Sequence, residues 1–237
     1  MNCEIYIYTH KDFNPIVSNP CYKILTEVDL PEKNMETINV NTGDNIKRFE
    51  SCYSELKGFY WVWKNIKNLP DFIGFNHYRR YFDFLDNIIE LDKDDILLPY
   101  PYRFNSVSNQ YASCHNIDDL TECCNVLCEL YPEYKETVEY TLNSHELYYA
   151  NCFIMSKENY LKYMEWLFNV LFAYDQKMGF NSYNDVKKYV DNLNRCHVKG
   201  NEYQYRIQAF LSERLFTIYI NHNFKPERIK YFNYVMI

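Results

Sequence analysis

Three short apolar runs in this chain each end abruptly in a polar cluster. Residues 4–8 (EIYIY) run into Thr9-His10-Lys11, residues 37–40 into Asn41-Thr42-Gly43-Asp44-Asn45, and residues 71–76 (DFIGFN) into His77-Tyr78-Arg79-Arg80. Short apolar runs bounded by turn residues read as buried strands. Between the last two, Cys52, Leu56, Phe59 and Trp63 repeat at helical spacing over residues 50–65. Strands alternating with helices specify an α/β architecture with a mostly parallel central sheet flanked by helices. In such open sheets the ligand crevice lies at the carboxyl ends of the strands. If these three strands are parallel neighbours, their polar clusters converge on one site.

The rest of the chain extends this frame. A loop carrying Pro15, Pro20 and Pro31 follows the first strand, and residues 95–98 form a further strand closed by Pro99 and Pro101. The second half is mostly helical. Asn116 and Ser156 stand at N-cap positions, and Leu120, Cys124, Leu127 and Tyr131 share one helical face. Residues 149–155 (YANCFIM) read as a strand, 183–194 as a polar helix, 202–221 as a long helix and 230–235 as a last strand. No repeat or linker divides the chain, so residues 1–237 are expected to form one domain.

Composition removes several function classes. Only five glycines occur, and no two are close, so neither a GxGxxG loop nor a P-loop can be built. No GxSxG is present, which excludes the nucleophile elbow of the α/β-hydrolases. The net charge of −7 disfavours a broad nucleic-acid face while leaving room for a local cationic pocket. Aromatic residues make up 19%, more than one core is expected to hold, so many rings are expected in a cleft or at the surface. The opening MNCEIYIYTHK lacks the basic and apolar regions of a signal peptide, and no apolar stretch is long enough to span a bilayer. Nine cysteines in such a chain point to a reducing, cytoplasmic setting. Cys114, His115, Cys123, Cys124 and Cys128 are grouped, but their spacing fits a packed helix face better than a zinc site.

The adjacent Arg79 and Arg80 carry the strongest chemical signal. Guanidinium forks match phosphate, and two of them after a buried strand are costly without an anion or carboxylates. Strand alternation sends at most one of them into a site and leaves the other to brace a carboxylate. Structural ion pairs at a sheet edge explain the pair equally well. The Asn41–Asn45 loop reads first as a turn set by Gly43, with Asp44 or Asn45 as candidate partners of a sugar hydroxyl or a base. On the last helix, Arg206, Phe210 and Glu213 share a face at spacings of four and three. They could wall a sugar cleft or form a partly solvated helix side. His115 follows a loop rich in aromatic and amide residues that suits carbohydrate or plain solvent.

These segments together resemble a bacterial and viral family of uncharacterised proteins labelled as capsular polysaccharide glycosyltransferases. The resemblance spans nearly the whole chain: IYTHK (7–11), NTGDNI (41–46), YSELKGFYWVWKN (53–65), FIGFNHYRRYF (72–82), QYASCHNIDDL (110–120), NCFIMSKE (151–158) and FLSERLF (210–216). It implies a GT-A-like (Rossmann-like) fold, with residues 1–100 as the nucleotide-sugar-binding half and 101–237 as the helical, acceptor-side half. It implies transfer of a sugar, from a UDP-linked hexose donor with galactofuranose among the candidates, to a glycan or glycolipid acceptor in surface polysaccharide synthesis. A cytoplasmic enzyme, with a peripheral place at the inner membrane face, fits that role. Thr9, His10, Lys11, Asn41, Asp44, Asn45, His77, Tyr78, Arg79 and Arg80 become the expected donor and diphosphate ligands. Tyr111, His115, Arg206 and Phe210 become the expected sugar or acceptor contacts, and Glu213 and Asp44 the candidate catalytic bases. Many GT-A enzymes hold Mn or Mg with a DxD motif after a strand. The one match, Asp92-Lys93-Asp94, precedes its strand, so no obligatory metal and no metal ligand is expected, with a divalent Mn or Mg left as the alternative; His77, Lys11, Arg79 and Arg80 would offset the leaving charge. A non-catalytic nucleotide-sugar or glycan-binding module is the competing reading.

Overall fold

A computed structural model of the chain describes residues 2–17, 19–82, 91–193 and 200–236. The first half supplies β1 (Cys3–Thr9), β2 (Tyr22–Thr26), β3 (Thr37–Asn39), α1 (Leu56–Asn65), β4 (Phe72–His77), β5 (Arg80–Phe82) and β6 (Ile96–Pro99). The second adds β7 (Tyr102–Arg103), α2 (Val107–Cys114), α3 (Ile117–Leu130), α4 (Lys135–Asn143), β8 (Glu146–Leu147), β9 (Phe153–Ser156) and α5 (Lys157–Met178). It closes with α6 (Tyr183–Asn192), α7 (Asn201–Gln204), α8 (Ile207–Asn223), β10 (Ile229–Phe232) and β11 (Tyr234–Met236).

The main sheet has the order β10-β6-β9-β4-β1-β2-β3. β1 to β4 are mutually parallel, and β9 runs antiparallel between β4 and β6. β6 and β10 therefore point the same way as β4. Register levels the strand ends: Thr9 lies opposite Thr26, Thr26 opposite Asn39, and Tyr8 opposite His77. Carboxyl ends thus line one edge of the sheet, while β9 enters from that edge at Phe153. β5 folds back on β4 with His77 opposite Arg80, and β11 adds to β5.

Strand alternation sorts the core onto the two faces. Tyr6, Tyr8, Ile73 and Phe75 join the larger cluster, with α1, α5 and α8 packed over it, and Ile5, Ile7 and Phe72 join the smaller one. The larger cluster is aromatic at its centre: Phe59 and Phe75 lie 4.1 Å apart, with Phe153 5.5 Å from each. Each such ring buried contributes about 1.5–3 kcal/mol. No single core holds the rings: two clusters share them, and Tyr149, Tyr203 and Phe210 line a cleft. A core on each face of the sheet takes most of them, and Tyr6, Tyr53, Tyr111, Tyr160, Tyr163 and Tyr174 are fully buried.

Several element boundaries differ from expectation. β2 occupies the proline-bearing stretch read as loop, where YKILT is short enough to hide between turn residues. The helix expected over 50–65 begins only at Leu56, because Glu50 and Ser54 adopt φ of 45° and 41°. The helix expected over 202–221 divides into α7 and α8 around Tyr205 and Arg206, and the strand expected from residue 149 starts at Phe153. The expected end of α6 at Asn194 lies outside the described residues; the helix itself ends at Asn192.

Candidate active site

A cavity of about 660 Å³ opens beside the carboxyl end of β4. His77, Arg79 and Arg80 of the β4–β5 turn form one wall. Arg206, Phe210 and Glu213, from the start of α8, face them. Gln110 and His115 at α2 and its C-cap close a third side, and Glu55 with Ala150 lies at the base.

The cationic wall is built by the turn. Arg79 lies in the two-residue connection between β4 and β5, where strand alternation does not apply, so both arginines reach the cavity. This corrects the expectation that only one would. Among the described residues no carboxylate forms an ion pair with Arg79 or Arg80, and Arg80 Nε is buried without a hydrogen-bond partner. Burial, then the neighbouring Arg80 and Arg79, push the His77 imidazole down to about 3. His77 is therefore neutral, not the cation expected from its place in the motif. Its Nδ1 accepts the Arg79 backbone N–H at 3.3 Å, which leaves Nε2 to carry the proton.

Two carboxylates sit below. Burial raises the Glu213 carboxyl to about 7, opposed by Arg214, the Ala150 N–H and Arg80, and reinforced by Glu55. Glu213 Oε1 accepts the Ala150 N–H at 2.8 Å, and Oε2 accepts from Arg214 Nη1 at 2.9 Å. Arg214 is fully buried; it also donates to Phe210 O and to Gln110 Oε1, and its guanidinium lies 4.9 Å from the Tyr111 ring. Glu55, raised by burial, accepts from Asn151 Nδ2 at 2.9 Å, and the same amide donates to Ser212 on α8. Ala150 and Asn151 hold φ of 65° and 49°, two consecutive non-glycine residues in the left-handed region. That backbone is what aims one N–H at Glu213 and one side chain at Glu55.

The remaining wall is aromatic. His115 stacks on Phe210 at 3.9 Å, and its Nδ1 lies 2.9 Å from Gln204 Oε1. The Arg206 guanidinium lies 4.3 Å from the Tyr203 ring and 5.6 Å from Phe210. The face carrying Arg206, Phe210 and Glu213 is thus a cleft wall, settling the two readings its spacing allowed.

Not every expected ligand reaches the cavity. Thr9 is buried, its hydroxyl turned back onto the Lys11 backbone, as Thr26 does with Val28 on the next strand. His10 and Lys11 do not line the cavity; each lies 5.4 Å from the Tyr78 ring, which also packs against His77 at 4.4 Å, Arg79 at 5.1 Å and Phe13 at 5.9 Å. Tyr78 itself is buried under this cationic cluster. The Asn41–Asn45 loop does not join the site. Asp44 accepts from Tyr60 Oη at 3.1 Å, its backbone pairs with Asn65, and Asn45 bonds within the loop, so the cluster fastens α1 to the sheet. With β1 and β2 between β3 and β4, convergence of all three clusters is corrected: only the third lines the cavity, and the first packs beside it at Tyr78. Tyr111 is fully buried against Arg214 rather than open to a sugar. Sequence reasoning missed Glu55, Tyr149, Ala150 and Gln204. Glu55 had a signal, an acid at the start of an otherwise apolar helix; the Ala150 backbone had none.

Among the described residues no three His, Cys, Asp or Glu side chains form a group that could hold a metal ion. Asp92 lies at the opposite, amino end of β6, where Arg228 Nη1 reaches Asp92 at 3.1 Å and Asp95 at 3.3 Å. Cys123 and Cys124 are buried, Cys128 is half-buried and Cys114 is exposed. No described helix is long and apolar enough to cross a membrane.

The mostly parallel sheet, with β9 and β5 antiparallel to β4 and helices packed on it, is an α/β fold of GT-A-like architecture. A solved structure, the apo form of the bifunctional glycosyltransferase WbbM, has this fold, with a TM-score of 0.71 and 23% identity. The match covers 100% of this chain and 45% of that one, so the chain spans less than half the length of its structural relative. The chain belongs to the family described as a domain of unknown function, DUF4422, whose profile matches residues 4–224. No curated protein matches it.

Proposed function

We propose that this chain is a glycosyltransferase that moves a hexose from a uridine-diphosphate-linked donor to a hydroxyl of a glycan or glycolipid acceptor. The observation that carries the reading is one cavity lined by three guanidinium groups, Arg79, Arg80 and Arg206, together with Glu213, whose carboxyl is raised to about 7. The arginines bind the diphosphate and take up the charge that develops as the bond between the anomeric carbon and the diphosphate oxygen breaks. Glu213, ionised in the reacting form, accepts the proton of the acceptor hydroxyl as its oxygen bonds to that carbon. Neutral His77 offers an Nε2–H donor beside the arginines, and the His115–Phe210–Tyr203 wall offers apolar surface to a sugar face.

The test is nucleoside diphosphate release from a panel of UDP-, GDP- and CMP-linked sugars, with and without glycan acceptors. Release from a UDP-hexose that survives exhaustive chelation and is lost in Glu213→Gln is the expected result. Tight donor binding with neither transfer nor hydrolysis would instead assign the cavity to a nucleotide-sugar-binding module.

A further inference from the structure

The sheet edge that carries the cavity continues past β9 to the carboxyl ends of β6 and β10, and there the molecule exposes a second aromatic surface. Pro99 closes β6, Phe232 closes β10, and the two are register partners. Tyr100, Pro101, Tyr102, Phe232 and Asn233 line a shallow groove of about 270 Å³. Tyr100 is 58% exposed and Tyr102 41%.

These rings are held in place. Tyr100 stacks on Tyr231 at 5.1 Å with 16° between the planes. Tyr231 in turn stacks at 6.5 Å on buried Tyr148, and their hydroxyls are bonded at 2.8 Å. The chain of contacts fixes one face of Tyr100 and leaves the other open. Tyr102 packs edge-to-face on Tyr149 at 5.3 Å, and Tyr149 lines the main cavity. The groove and the cavity therefore share a partition one tyrosine pair thick. An exposed, preorganised ring offers a flat apolar surface with little ordering cost on binding.

We infer that the Tyr100–Tyr102 groove is an acceptor subsite that holds the sugar units of an oligosaccharide behind the one whose hydroxyl reacts at Glu213. The inference rests on the proposed transfer reaction and deepens it. The occupant is a glycan chain because the groove adjoins, across the Tyr102–Tyr149 contact, the cavity in which the acceptor hydroxyl must lie. Its surface is ring faces and tyrosine hydroxyls, with the nearby Arg103 paired to Glu146 at 2.7 Å and so not held out for an anion. Stacking of sugar faces on the open rings supplies the contact, and the cavity places the terminal unit.

The experiment compares transfer onto a monosaccharide with transfer onto neutral tetrasaccharides of glucose, galactose and mannose, for the native chain and for Tyr100→Ala, Tyr102→Ala and Tyr100→Trp. Neither tyrosine lines the main cavity, so donor hydrolysis and monosaccharide transfer stay at native level in all three. KM for the preferred tetrasaccharide rises about fivefold or more in each alanine variant, and Tyr100→Trp restores it. An unchanged KM, or a native enzyme indifferent to acceptor length, overturns the subsite. Saturation-transfer NMR from the tyrosine rings to the same tetrasaccharides reads the groove without turnover. Transfer seen in the native chain and lost in the alanine variants supports it even where no donor is consumed, which would defeat the reaction alone. Equal signals in native and variant chains, or none in either, overturn it.

Discussion

Glu213 Oε1 accepts the backbone N–H of Ala150 at 2.8 Å, and Ala150 makes that bond from a left-handed φ of 65°. A non-glycine residue pays for that conformation, and here the next residue pays as well. The return is a fixed partner for the carboxylate on which the proposed chemistry depends.

Transfer should therefore follow the ionisation of Glu213. Its carboxyl is raised to about 7, so the base form grows as pH climbs through that value, and kcat/KM should rise with it. Glu213→Gln should cost about 10²- to 10⁴-fold in kcat while leaving donor affinity close to native. A pH–rate profile and donor titrations of both chains check this; a flat acidic limb would remove Glu213 as the base.

Arg79→Ala should weaken UDP binding by roughly 10- to 100-fold, the usual loss for a charge-assisted hydrogen bond. Arg79→Lys should recover only part, since an ammonium lacks the guanidinium fork. Calorimetry with UDP measures both, and unchanged affinity in Arg79→Ala would release that residue from the diphosphate.

A second buried carboxylate predicts the pH dependence of stability. Asp175 accepts from Tyr53 Oη and from Gln208 Nε2, each at 2.6 Å, and burial raises it to about 7. A carboxyl raised on folding binds its proton more tightly in the native state, so its contribution is full below the unfolded value near 4 and is lost as pH climbs through 7. Urea midpoints should fall between about pH 4 and 7 and level off above, and the fall should be shallower in Asp175→Asn. A slope unaltered by that substitution would place the titration elsewhere.

Gly43→Ala tests the loop that docks α1. Gly43 has φ of 57°, and a Cβ there would lie 2.2 Å from Asn65 Oδ1, which itself accepts the Asp44 N–H. Strain and a displaced Asn65 together should lower stability by about 1–3 kcal/mol, read as a shifted urea midpoint, without changing UDP affinity. Loss of UDP binding in a folded Gly43→Ala chain would return the loop to the site.

Much of this molecule was legible along the chain. FIGFN followed by HYRR marks a buried strand leaving the core because apolar run, turn and charge are local properties. The spacing of Arg206, Phe210 and Glu213 places them on one face because a helix has a fixed period. What the chain could not show was order across the sheet. Asp44 sits in a loop like that of Arg79, yet β1 and β2 stand between them, and the loop's hydrogen bonds go to α1 instead. Glu55, Ala150 and Glu213 are far apart in sequence and meet only because β9 inserts antiparallel beside β4. Local pattern determines which residues leave the core and at which end of a strand. Long-range packing alone decides which of those ends face one another, and so which carboxylate is desolvated enough to act as a base.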